Sequence, residues 1–210
     1  MTTVPWRSWW AYEARRCGRG ALVLPLLAAL AAWAAMATGP DGGGLLGRAL
    51  LSTALPAATA LACGSVIARE AMTELHLTLP TDYPRTVLRR LCWPAGSTAV
   101  AAAALVGALT AADRGIRPAA VLVELAGLTV LLTGCALWAT ARAGSSGAGA
   151  GLVTAVCLAK LLLLDRVAPH GAPQGIAAAL AGVALTARAL RILSDAERSG
   201  VLTHEREEGG

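Results

Sequence analysis

Long runs without charge alternate along the chain with short segments that concentrate Arg, Asp, Glu, Gly and Pro. A helix that crosses a bilayer needs about 20 mostly apolar residues. The fourth qualifying run contains one charged residue, Glu124, and the fifth contains Lys160, whereas the other four contain none. The pattern therefore predicts six transmembrane helices, over residues 21–37, 49–68, 91–112, 118–141, 143–164 and 168–187.

Composition agrees with a membrane protein. Of the 210 residues, 56% are hydrophobic and 15% are charged, and the mean hydropathy is +0.59. A soluble domain carries about 25% charged residues, and disordered chains have low hydrophobicity, so both classes are disfavoured. We expect an all-α integral membrane protein, in which six spans leave no room for a separate soluble domain.

The basic residues predict the orientation of the spans. Thirteen of the 18 Lys and Arg residues fall on one side of the predicted spans, and four fall on the other. Because Lys and Arg accumulate in cytoplasmic loops, both termini, the loop 69–90 and the tail 194–210 are predicted to be cytoplasmic. In a multi-pass protein of the plasma membrane, the net charge of +5 then reflects topology and attraction to anionic lipid rather than to nucleic acid.

Residues 1–20 are predicted to form an amphipathic helix at the membrane surface. Trp6, Trp9 and Trp10 fall on one face, and Arg15 and Arg16 belong to the polar stripe on the other. Trp rings prefer the headgroup level and Arg can reach lipid phosphate, so these residues are candidate interfacial anchors.

The longest break, 69–90, contains the most informative polar segment. Its first part can continue the second span as a helix, and Pro80 and Pro84 then interrupt that helix. Two interpretations follow from the residues alone: a solvated connector, or a docking element for a partner.

This segment resembles the coupling loop in permeases of type-2 ABC exporters. That family has an acidic residue at the end of the second span, a stretch of the form E-L-L-L-S-L-P, and basic residues before the third span. The corresponding residues here are Glu70, then Glu74-Leu75-His76-Leu77-Thr78-Leu79-Pro80, then Arg85, Arg89 and Arg90. The six-span layout, the cytoplasmic termini and the N-terminal amphipathic helix are also similar to that family.

The resemblance implies a function and partners. A cytosolic ABC ATPase subunit would bind at Glu70, Glu74, Leu75, Leu77, Leu79 and Pro80, and a second permease copy or a paralogue would complete a homo- or heterodimer. The exported substrate would then be an amphipathic, peptide, lipid or drug-like molecule.

No phosphate-binding loop accompanies this resemblance. A P-loop needs G-x-x-x-x-G-K-[ST], and the chain's single lysine, Lys160, is not in that context. We therefore expect no enzymatic activity in this chain, with ATP and Mg²⁺ held by the partner subunit. Three histidines without an H-E-x-x-H pattern also predict no metal site.

Two alternatives remain open. One is a membrane assembly or scaffold protein without transport activity. The other is an intramembrane enzyme, because Gly144-Ser145-Ser146-Gly147 matches a G-x-S-G nucleophile pattern, although its only candidate partner, His170, is predicted near the opposite face. The small residues Gly144, Gly147 and Gly151 also predict a face suited to close helix packing.

Glu124 and Lys160 are the charges predicted to lie inside the membrane. Each costs about 2.5–3.5 kcal/mol at mid-membrane, so such residues are rarely without a role. Counting along the helices places both roughly 6–9 Å below the outer ends of consecutive antiparallel spans. We expect an ion pair between them, structural or at the outer end of a transport path; the alternative is a snorkelling Lys160 beside a protonated or hydrated Glu124.

Overall fold

The computed structural model describes residues 19–38, 44–70, 83–112, 117–165 and 172–208. These residues form helices and no strands: α1 (Arg19–Thr38), α2 (Gly44–Glu70), α3 (Tyr83–Ala111), α4 (Pro118–Ala143), α5 (Ser146–Ala159), a π-helical turn (Lys160–Leu164) and α6 (Ala172–Glu208). Six stretches, the fifth of which combines α5 with the π turn, are long and apolar enough to cross a membrane. The prediction of an all-helical protein with six membrane-length helices is confirmed for this part of the chain.

Three helices extend into the segments that were predicted to be the loop 69–90 and the tail 194–210. α2 continues to Glu70, and α3 begins at Tyr83, inside the segment assigned to the loop 69–90. Pro84 lies in the first turn of α3, where a missing N–H costs no hydrogen bond. α6 continues to Glu208, so most of the predicted tail 194–210 is helical. The predicted N-terminal helix, apart from its last residues, lies outside the described residues.

α4 is the central helix of the bundle. It packs against α2, α5 and α6, while α1 packs against α2 and α3. One apolar cluster joins α4 to α2 and α5 and consists of Ala60, Leu128, Leu132, Ala136 and Val153. A second joins α1, α2 and α3 and consists of Ala29, Ala32, Met36, Leu55, Ala101, Leu105 and Leu109. The many alanines allow this dense packing because small side chains let helices approach closely in lipid.

Glycines bring α4 and α6 into backbone contact. A Cβ added at Gly127 would collide with the backbone of Gly175, and one at Gly134 with the backbone of Gly182. Both pairs have the same offset along the chain and a spacing of seven residues, so α4 and α6 run parallel in a fixed register. A seven-residue repeat of contacts is typical of helices that cross at a shallow, left-handed angle.

A hydroxyl pair links α2 and α3 inside the apolar bundle. The Oγ1 atoms of Thr59 and Thr98 lie 2.8 Å apart, and each also lies within hydrogen-bond distance of a carbonyl in its own helix, Leu55 O at 2.8 Å and Pro94 O at 2.7 Å. Because two hydroxyl hydrogens serve three contacts, the three bonds cannot all form at once.

Candidate functional site

Lys160 lies buried at one end of the bundle between two carboxylates. Its Nζ atom is 3.4 Å from Oε1 of Glu124 on α4. It also donates hydrogen bonds to Asp165, at 3.0 Å to Oδ1 and 3.4 Å to Oδ2. The side chain of Lys160 is 3% exposed, compared with 16% for Glu124 and 19% for Asp165. The ammonium is therefore the most deeply buried member of a three-residue charge cluster.

The π-helical turn explains why Asp165 reaches Lys160. In an α-helix, residues five apart point about 140° away from each other around the axis. In a π turn, the hydrogen bond runs from residue i+5 to residue i and stacks these two residues. The backbone N–H of Asp165 donates to the carbonyl of Lys160, which places the carboxylate over the ammonium. Without this turn, the closer of the two salt bridges could not form.

A cavity of about 140 Å³ opens beside the cluster, between α4, α5 and α6. Glu124, Lys160 and Gln174 contribute its polar lining. Both polar atoms of the Gln174 carboxamide are buried and have no hydrogen-bond partner among the described residues. An unpaired buried amide costs about 1–3 kcal/mol, so this side chain is available for a bond that the chain itself does not supply.

The cavity has a polar end and an apolar end. On α4, Glu124 is followed one and two turns deeper by Leu128 and Leu131. Apolar lining residues also lie deeper than Lys160, which they precede along the chain, and deeper than Gln174, which they follow. Those deeper lining residues are Val156, Ala159, Gly175 and Ala178. The result is an amphipathic cavity whose charged end lies toward the helix ends and whose apolar end points into the bundle.

Gly175 determines how closely α6 approaches this cavity. A Cβ at this position would lie 2.6 Å from the carbonyl oxygen of Val123 and 2.9 Å from Cα of Glu124. Real Cβ atoms do not come so close to backbone, so only glycine allows α6 to pack here. The same close approach brings Gln174, the preceding residue, to the cavity beside Glu124.

The structure brings Glu124 and Lys160, between which an ion pair was expected, into contact. The ammonium of Lys160 is therefore paired rather than extended to the surface. The candidate coupling residues are not brought to this site. Glu70 is the last residue of α2, and its side chain is not described. The other coupling candidates, Glu74, Leu75, Leu77, Leu79 and Pro80, lie outside the described residues, as do the anchors Trp6, Trp9, Trp10, Arg15 and Arg16.

The G-x-S-G pattern has a local structural role. Gly144 ends α4 in the left-handed conformation, with φ of 64°, and its N–H donates to Thr140. Ser145 then caps α5, because its hydroxyl accepts a hydrogen bond from Ala148 N at 3.3 Å. These residues make a tight connection between two helices, and His170 lies outside the described residues.

Asp165 and Gln174 were missed by sequence reasoning. Asp165 follows the fifth span directly and was assigned to a connecting segment, and Gln174 is uncharged and lies near the start of the sixth span. A signal for the α4–α6 contact was present: Gly127 and Gly134 repeat the seven-residue spacing of Gly175 and Gly182.

Comparison with known proteins gives no family assignment. No family model matches the chain, and neither the curated proteins nor the solved structures contain a match.

Proposed function

We propose that this protein is a membrane transport protein, the transmembrane permease subunit of an ATP-driven ABC exporter. The observation that carries the transport role is the buried cluster of Glu124, Lys160 and Asp165 beside a cavity between membrane-length helices. Ionisable groups are costly inside a bilayer, and where they occur they mark substrate or ion pathways by default.

The assignment to an ABC exporter rests on the sequence of the segment that follows α2. Its residues from Glu70 to Pro80 resemble the coupling loop of type-2 exporter permeases. α2 and α3 support this proposal indirectly, because both extend past their membrane-length stretches toward this segment. In such a complex, ATP binding and hydrolysis occur in the partner subunit, and movement at the loop reorients the helices of a permease pair.

Co-purification tests the proposal. The full chain, extracted from membranes of its native host in mild detergent, should bring down a protein that carries a Walker A motif, identified by mass spectrometry. Leu77→Asp, in the coupling segment, should lose that protein. Thr81→Asp adds the same charge beyond Pro80 and should retain it. Absence of any Walker-bearing ATPase from the wild-type sample would contradict the exporter assignment, as would an equal yield with Leu77→Asp.

A further inference from the structure

We propose that the amphipathic cavity between α4, α5 and α6 binds a small uncharged molecule that carries a carboxamide head on a short apolar chain. The inference rests on the proposed transport role, for which it names a ligand class. The binding itself is a property of this chain alone, and it can be measured without an ATPase partner.

The charged groups of the cavity lining already balance each other. The lining contains one carboxylate, that of Glu124, and one ammonium, that of Lys160, and the two are paired at 3.4 Å. A ligand with a net charge would bring an uncompensated charge into this lining, and a zwitterion would have to break the existing pair. Because uncompensated charge is expensive inside a bilayer, the lining favours an uncharged ligand.

Gln174 is the polar side chain of the lining that lacks a partner. Its Oε1 and Nε2 atoms are both buried and have no hydrogen-bond partner among the described residues. It is also the only carboxamide side chain of the sequence, which contains no other Gln and no Asn. A carboxamide has an acceptor oxygen and a donor NH₂ group, so a ligand that satisfies both atoms needs a donor and an acceptor side by side.

A second carboxamide meets this requirement with two reciprocal hydrogen bonds. One N–H of the ligand would donate to Oε1 of Gln174, and the carbonyl oxygen of the ligand would accept from Nε2. The other N–H of the ligand could then donate to the carboxylate of Glu124, which lines the same cavity. The two helices are in backbone contact here, because a Cβ at Gly175 would lie 2.9 Å from Cα of Glu124. One ligand head can therefore reach both side chains.

The size and polarity of the cavity define the rest of the ligand. A protein cavity of about 150 Å³ can hold benzene, so about six non-hydrogen atoms fit a space of this size. The cavity here has about 140 Å³, and its deeper lining is apolar, with Leu128 and Leu131 on α4 and Ala178 on α6. With the carboxamide at the polar end, an unbranched propyl chain would occupy the apolar end. Butanamide has this size and this distribution of polarity.

Gln174 gives a direct readout of binding. In protein labelled uniformly with ¹⁵N, the spectral region of carboxamide NH₂ groups contains the signals of this residue alone. The full-length protein in lipid nanodiscs is titrated with butanamide, and 2-pentanone, butanoate and n-pentylammonium serve as probes of the same size. We expect a saturable shift of the Gln174 signals with butanamide. Binding should be at least about tenfold weaker for the ketone, which has no donor, and for the two ions.

Three variants locate the site. Gln174→Met keeps the length of the side chain but removes its carboxamide. Saturation-transfer NMR, which observes the ligand, should then show butanamide binding about tenfold or more weaker and no longer tighter than 2-pentanone. Ala178→Leu fills the apolar end and should abolish the shift of the Gln174 signals. Ala181→Leu makes the same change at an exposed position of α6 and should bind as the wild type does. Thermal unfolding checks that each variant is folded.

Several results would overturn the proposal. Equal binding of butanamide and 2-pentanone to the wild type would show that the carboxamide head is not recognised, and tighter binding of either ion would show that charge selects the ligand. Equal effects of Ala178→Leu and Ala181→Leu would show partition of butanamide into lipid. Gln174 signals that exchange with water but do not respond to butanamide would identify water as the partner of this side chain. None of these results depends on whether an ATPase co-purifies, so the carboxamide site and the exporter assignment can fail separately.

Discussion

Replacing Lys160 by methionine should destabilise the protein more than any other single change in the charge cluster. The substitution keeps most of the aliphatic stem but removes the ammonium, which is 3% exposed. Glu124 and Asp165 then share one end of the bundle without the ammonium of Lys160 between them. Breaking a fully buried ion pair on one side costs about 3–5 kcal/mol. The side chain of Glu124 is 16% exposed and that of Asp165 is 19% exposed. Because the pair is not fully buried, we expect a cost at the lower end of this range, about 3 kcal/mol.

The distances predict an order among the variants. Asp165→Asn removes the negative charge of the acceptor in the 3.0 Å hydrogen bond, and it should cost more than Glu124→Gln, which removes the charge from a contact of 3.4 Å. A cost of about 1 kcal/mol is expected for Glu124→Gln, because Lys160 keeps its closer partner. The double variant Lys160→Met/Asp165→Asn should differ from the sum of its singles by about 1–3 kcal/mol, since residues in direct contact are not additive.

Unfolding in mixed micelles of mild detergent and SDS measures these free energies. The matched control is Leu163→Met, which introduces the same side chain in the same π-helical turn at a position that is 65% exposed. It should change stability by no more than about 0.5 kcal/mol. If Lys160→Met is as mild as this control, or if the double variant is additive within about 0.5 kcal/mol, the cluster does not hold these helices together.

Three further predictions concern the rest of the bundle. Gly175→Ala should cost about 1–3 kcal/mol in the same unfolding assay because its Cβ would lie 2.6 Å from a carbonyl oxygen of α4. The control is Gly151→Ala, where nothing lies within 4 Å of the added Cβ, and it should be neutral or stabilise the protein by up to about 1 kcal/mol. Equal losses of stability at both sites would refute the close α4–α6 contact. A double-mutant cycle of Thr59→Val and Thr98→Val should give a coupling of about 0.6 kcal/mol, and one well above 1.7 kcal/mol would contradict the shared hydrogen bonds. A reporter that is active only in the cytoplasm should be active when it is fused after Gly210. Activity there of a reporter that works only outside the cytoplasm would contradict the predicted orientation.

Local properties of the chain explain why the six helices could be predicted. Length and hydropathy are read residue by residue, so the apolar runs were sufficient to locate the membrane-length helices. Helix ends were harder, because helices can continue into polar segments, as α3 does at Tyr83 and α6 does up to Glu208. The contact of Glu124 with Lys160 followed from depth alone, since both lie near the same end of neighbouring antiparallel helices.

The rest of the site depends on backbone geometry that hydropathy does not encode. Asp165 reaches Lys160 only because a π turn replaces α-helix at residues 160–164, and α-helical spacing would place the two side chains far apart. The close contact of α4 with α6 could not be predicted without knowing which helices are neighbours. The spacing of Gly144, Gly147 and Gly151 predicted a different packing face. Within the chain, a Cβ at Gly151 meets nothing within 4 Å, and Gly144 ends α4.

The single lysine of the chain is held between carboxylates from two helical segments of the bundle. Solid-state NMR in lipid bilayers measures this directly, because the ¹⁵Nζ signal of Lys160 is the only lysine side-chain signal of the chain. With ¹³C-labelled Asp and Glu, the signal should be dephased by two carboxyl carbons. The Asp contribution should disappear in Asp165→Asn and the Glu contribution in Glu124→Gln. A signal without carboxyl dephasing in the wild type, or dephasing unchanged in both variants, would contradict the account.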